Sequence, residues 1–205
     1  AAFDGQRGNP MTVSRRGLMA NAAALSALTA AGACDQLGLN RTSADVLGDL
    51  DATGVAAAIR DGHITASEAL ESAIARSERV NGELNFIATP LYDYGRARAA
   101  ETLSGPFAGV PTLIKDLLPM TGQLTKYGCR AFANNVTPEQ PPYMDAILAA
   151  GLVPFGKSTT PEFGLTATTE PLLTGQTKNP WDVTRSSGGS SGGAAVAVGR
   201  LADTR

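Results

Sequence analysis

A chain of 205 residues with 43% hydrophobic content can bury a core, and a single domain is the expectation. Its 17 basic residues nearly balance 19 acidic ones, leaving a net charge of −2 with no basic run, which argues against a nucleic-acid surface. A single histidine, His63 in the turn-like stretch Asp61-Gly62-His63, excludes histidine-rich metal centres and leaves a Ser-His-Asp triad without a convincing base.

Met11 reads as a natural start. From there Ser14-Arg15-Arg16-Gly17 precedes an Ala/Leu-rich run to Ala33, the basic, apolar and small-residue parts of an export signal. Paired arginines ahead of a weakly hydrophobic stretch resemble a twin-arginine signal, and the run is too short and Asn-interrupted to span a bilayer. Ala31-Gly32-Ala33 before Cys34 fits an A-x-A cleavage site, with a lipid anchor at Cys34 as the alternative. The expected organisation is a leader over 1–33, a linker over 34–50 and a catalytic-type domain over 51–205. Export to the periplasm follows, or a cytoplasmic location if the leader is no signal. Because Cys34 falls at the leader's end, a disulfide with Cys129 is not expected.

Thr65-Ala66-Ser67-Glu68 is a capping box that opens a helix. Ala66, Ala69, Leu70, Ala73 and Ile74 recur behind it at helical spacing, and the predicted end is near Asn81-Gly82. Residues 84–89 read as a strand, Tyr92 to Leu103 as a helix, and Ala108 to Leu117 as a strand entering a turn. Pro142 to Ala150 reads as helix and Leu152 to Phe155 as a short buried strand. This alternation predicts an α/β layer fold.

Three segments carry the chemistry. Gly109-Val110-Pro111-Thr112-Leu113-Ile114-Lys115-Asp116 delivers a lysine at the end of an apolar run, where partial burial lowers an amine's pKa and suits it to act as a base. The alternative is a lysine that snorkels to the surface and pairs with Asp116. Gly156-Lys157-Ser158 formally completes a GxxxxGK[ST] pattern from Gly151, but Leu152-Val153-Pro154-Phe155 between them is an apolar strand, whereas a phosphate cradle needs free amides in a glycine-rich loop. Ser186-Ser187-Gly188-Gly189-Ser190-Ser191-Gly192-Gly193 allows close backbone approach, and the small residues that follow suit a tightly packed helix rather than a flexible linker.

The joint occurrence of the GVP-x-x-x-KD, GKST-x-PEF, Asn179-Pro180-Trp181-Asp182 and Gly188–Gly193 blocks, in this order, resembles the amidase signature family, over roughly residues 48–199. The branch containing 6-aminohexanoate cyclic-dimer hydrolase is the most similar in Ser104–Gly109 and Thr168–Pro171. The resemblance implies a mixed sheet flanked by helices, no cofactor, no metal, and amide-bond hydrolysis of a small molecule through a Ser-Ser-Lys triad. Lys115 is then the base and Ser190 the bridging serine, placed by a cis peptide, while Ser191, Gly188 and Gly189 support the geometry or contact substrate. The nucleophile is implied roughly two dozen residues beyond the bridging serine, in a glycine-rich loop whose amides form the oxyanion hole. No serine follows Ser191 in this sequence, so the expectation is an amino-terminal fragment, truncated in its sheet and inactive by itself. The glutaminase-type subunit of a tRNA-dependent amidotransferase, with a partner subunit, is one alternative, and a non-catalytic binding fragment is another. Oligomeric state is open.

Overall fold

The structure is a computed structural model that describes residues 45–201. The leader, its Ser14-Arg15-Arg16 element, Cys34 and most of the 34–50 segment lie outside the described residues.

The described chain runs through helix α1 (Ala52–Arg60), helix α2 (Ala66–Leu84), strand β1 (Ile87–Pro90), helix α3 (Tyr92–Ala99), strand β2 (Pro111–Lys115), helix α4 (Pro142–Ala149), strand β3 (Val153–Ser158) and helix α5 (Gly192–Leu201). The three strands form one sheet in the order β1-β3-β2. β1 runs antiparallel to β3, and β2 runs parallel to it, so the sheet is mixed. α2 and α5 pack on each other and on β2, and α3 packs on β3.

The capping box forms as the sequence predicts: Thr65 Oγ1 accepts the Glu68 amide at 3.1 Å, and Glu68 Oε2 accepts the Thr65 amide at 2.9 Å. Leu70, Ala69 and Ile74 of α2 then join Phe86, Val153, Phe155 and Val196 in the main core. The helix does not stop near Asn81-Gly82 but continues to Leu84, closing on a left-handed Asn85 at φ 52°. Asn81 is instead a tie, its Oδ1 accepting the amides of Phe86 and Ile87, each at 2.9 Å. That tie turns the chain, and β1 starts at Ile87, later than the predicted strand over 84–89.

Two more boundaries move for tertiary reasons. α3 ends at Ala99 rather than reaching Leu103, and its last turn is anchored by Arg98, which donates to the carbonyls of Leu152 at 2.7 Å and Leu148 at 2.6 Å. β3 extends past Phe155 to Ser158, because the parallel ladder with β2 runs to the pair Lys115↔Ser158. α1 was not foreseen. Asp51 caps it through the Gly54 amide at 2.8 Å, and Val55 and Ala56 enter the core. The segment just before α1 also packs on the body: Leu47 is buried, and Arg76 of α2 donates to Asp45 Oδ2 at 2.6 Å. Among the described residues no helix is long and apolar enough to cross a membrane.

Candidate active site

β2 ends on Lys115, and the turn before α5 ends on Ser190 and Ser191. Seventy-five residues apart in sequence, Lys115 Nζ and Ser190 Oγ lie 2.8 Å from each other, with Ser191 Oγ 2.9 Å from the same nitrogen. The amine is half-buried, and its desolvation lowers the Lys115 pKa from the ordinary lysine value. The Gly189–Ser190 peptide is cis. The first turn of α5 begins at Gly192, directly after the two serines.

Small residues are what let the serine turn reach the lysine. A Cβ at Gly189 would stand 2.7 Å from the Thr168 carbonyl oxygen, and one at Gly193 would overlap the Thr159 amide. Gly188 takes φ 79°, and its carbonyl accepts the buried Thr169 hydroxyl at 2.8 Å. The structure thus brings Lys115, Ser190 and Ser191 together, with Gly188 and Gly189 supporting them from behind.

The surface alternative for Lys115 does not occur. Asp116 is fully buried on the other side of the strand end, where its Oδ1 accepts the Lys126 amide at 3.1 Å. Successive strand residues point to opposite faces, so a KD pair at a strand end sends its two charges apart. Gly156-Lys157-Ser158 lies entirely inside β3, buried throughout, with no amide cradle for a phosphate. His63 is exposed, and Cys129 is a free thiol. Among the described residues no cluster of His, Cys, Asp and Glu could hold a metal ion.

Sequence reasoning missed two parts of the surroundings. Gly164, at φ 70°, borders the serine: a Cβ there would come within 3.7 Å of Ser190 Oγ and 2.7 Å of Leu117 Cδ1. Beside it stands an aromatic cluster in which Tyr127 and Phe163 stack with centroids 6.1 Å apart, and Phe132 meets Phe163 edge-on at 5.7 Å. Tyr127 and Phe163 both adopt φ 53°, a conformation bulky residues rarely take and one that no sequence pattern advertises. A separate apolar cavity of about 480 Å³, lined by Leu47, Val55, Leu113, Phe155 and Val198 among others, includes neither Lys115 nor Ser190.

The family model described as Amidase matches residues 68–202, which spans both halves of this site. The chain belongs to the amidase family. Within it, the chain is 42% identical over 151 residues to the 6-aminohexanoate-cyclic-dimer hydrolase of Paenarthrobacter ureafaciens, covering 72% of this chain and 30% of that protein. The solved structure of a 6-aminohexanoate cyclic dimer hydrolase complexed with substrate superimposes with a TM-score of 0.71 at 39% identity, over 76% of this amidase chain and 33% of the other. A bacterial aryl acylamidase of the amidase signature family superimposes at 0.70 with 29% identity, over 74% and 34%. A glutamyl-tRNA(Gln) amidotransferase subunit of Deinococcus radiodurans is 39% identical over 154 residues, 72% of this chain and 32% of that protein. The mixed sheet and its flanking helices are therefore part of the amidase-signature fold, and this chain spans about a third of the length of the relatives it matches.

Proposed function

We propose that residues 45–201 form the proton-relay half of an enzyme that hydrolyses small-molecule amides, with Lys115 as base and Ser190 as bridging hydroxyl. The observation that carries this reading is the half-buried amine held 2.8 and 2.9 Å from two serine hydroxyls contributed by a distant turn. In its neutral form Lys115 accepts the Ser190 proton while Ser190 accepts that of the nucleophilic hydroxyl, whose oxygen attacks the amide carbonyl. Reversal of the relay delivers the proton to the leaving amine as the C–N bond breaks, and water then releases the acyl group from the nucleophile. Ser191 holds the amine in line, and Gly188 and Gly189 keep the turn close enough for contact.

A linear or cyclic amide is the proposed substrate class, supported by similarity to the cyclic-dimer hydrolase. The amidotransferase reading draws on the Deinococcus relative but requires a cytoplasmic chain with a partner subunit. Ser14-Arg15-Arg16 and the run that follows favour export to the periplasm instead. Fusing residues 11–50 to a reporter that is active only outside the cytoplasm tests this, and a reporter retained inside counts against export.

The test of the relay is a chimera in which residues 68–202 replace the matching segment of the Paenarthrobacter hydrolase. The expected result is hydrolysis of the cyclic dimer by the chimera and a fall of about a hundred-fold or more in kcat with Lys115→Ala or Ser190→Ala. Undiminished turnover by a folded Lys115→Ala chimera would remove the reading.

A further inference from the structure

Lys157 is a cation with no exposed surface, and the relay does not use it. In the β2–β3 ladder it stands opposite Ile114, one position from the pair Lys115↔Ser158. Its ammonium donates to the Leu118 carbonyl and to Thr125 Oγ1, the latter at 3.3 Å. Asp116 supplies the opposite charge felt by Lys157, and burial lowers the Lys157 pKa to about 8 while Asp116 opposes that shift. Beyond the Lys126 contact already described, the Asp116 carbonyl accepts the Tyr127 amide at 3.0 Å. The remaining cation of this loop, Lys126, sends its amine to the Ala88 carbonyl at 3.3 Å.

Two buried charges therefore hold both ends of the loop 116–128, and that loop walls the site. Its first apolar residue, Leu117, abuts Gly164 beside Ser190, and the carbonyl of Tyr127 accepts the Phe163 amide at 2.8 Å. Burying two charges costs desolvation that apolar residues of similar volume avoid, so stability by itself is a weak reason for keeping Lys157 and Asp116 inside. A requirement for one loop geometry is the stronger reason.

We propose that Lys157 and Asp116 are positioning residues: they lock the 116–128 loop in the register that keeps the Lys115 amine shielded from water and against the Ser190 and Ser191 hydroxyls. This rests on reading Lys115 as the proton acceptor.

The experiment follows the Lys115 side-chain signals of the 205-residue chain, labelled with ¹³C-lysine, through a pH titration, with Lys115→Met assigning the resonance. In the unaltered chain the midpoint should lie below the ordinary lysine range. In Lys157→Met, and in the double variant Asp116→Asn with Lys157→Met that leaves no unpaired buried charge, it should climb back by about a unit, a tenfold change in acid constant. Thr125→Val, which removes one contact of the ammonium, should move it the same way by less. A purely structural role would lower the unfolding midpoint and leave the Lys115 titration where it was. That outcome in any folded charge variant overturns the proposal, and if both charge variants fail to fold, an unmoved midpoint in Thr125→Val does so. An ordinary midpoint in the unaltered chain removes the proton-acceptor reading, and this one with it.

Discussion

Two lysines near the same strand ends meet different fates because of what each amine touches. Lys115 is half-buried and faces a pair of hydroxyls, whereas Lys157 is enclosed and faces carbonyl and hydroxyl oxygens. Both lose affinity for their proton, chiefly through desolvation. Only the first can exchange a proton with a partner that also reaches solvent, since Ser190 is half-buried and Ser191 exposed. The glycines are as demanding as the charges. Gly193→Ala should destabilise the chain by about 2 kcal/mol, because the added methyl overlaps backbone at Thr159, which cannot turn aside as a flexible side chain would. Urea unfolding of the 205-residue protein measures this, and a loss below the experimental error would mean that α5 shifts freely. Gly164→Ala meets the movable end of Leu117 but requires a left-handed alanine, so it should cost less than Gly193→Ala while disturbing the surroundings of Ser190.

Elements set the reach of these residues. α2 is a 19-residue helix whose buried face carries Ala69, Leu70, Ala73 and Ile74, and its reciprocal cap is exposed at the start. Thr65→Ala removes the hydroxyl acceptor and should cost about 1 kcal/mol, read as a lower unfolding midpoint with unchanged Lys115 titration. A shift in that titration would show the cap to be coupled to the site, which the intervening core does not lead one to expect. β3 is the element on which everything converges: it pairs with both other strands and is buried at all six positions. A Gly-Lys-Ser triplet in a central strand cannot cradle a phosphate, since its amides are committed to ladders on both sides. The same burial leaves the Lys157 ammonium to find its partners in the loop leaving β2.

At the level of the molecule, the shifted groups predict how stability depends on pH. A lysine whose folded-state pKa lies below its unfolded value binds fewer protons in the folded chain between the two, so stability rises with pH across that window and falls away as pH drops through the folded value. For Lys157 the window runs from about 8 to the ordinary 10.5, and Lys115 contributes with the same sign. Asp116 acts oppositely in the acid range: burial raises its pKa, so its contribution is present below 3.8 and lost as pH rises through the raised value. The urea midpoint of the unaltered chain should therefore gain on that of Lys157→Met between pH 8 and 10. Parallel curves would show that Lys157 is not desolvated in the folded protein.

The capping box, the apolar stripe behind it, the β/α alternation and the membership of Lys115, Ser190 and Ser191 in one family pattern were all legible in the sequence. Each is a local signal, written in spacing of a few residues or in a run of motif letters. The end of α2, the early stop of α3 and the length of β3 were not, because Asn81, Arg98 and the β2 ladder decide them through contacts made across the fold. The pairing of residues 115 and 190 was implied only by the family resemblance, and its distance, like the left-handed Tyr127 and Phe163, belongs to the tertiary structure. Desolvation and hydrogen-bond geometry depend on neighbours in space. A sequence can name the amine and the hydroxyl, but only packing determines which amine loses its water beside which hydroxyl.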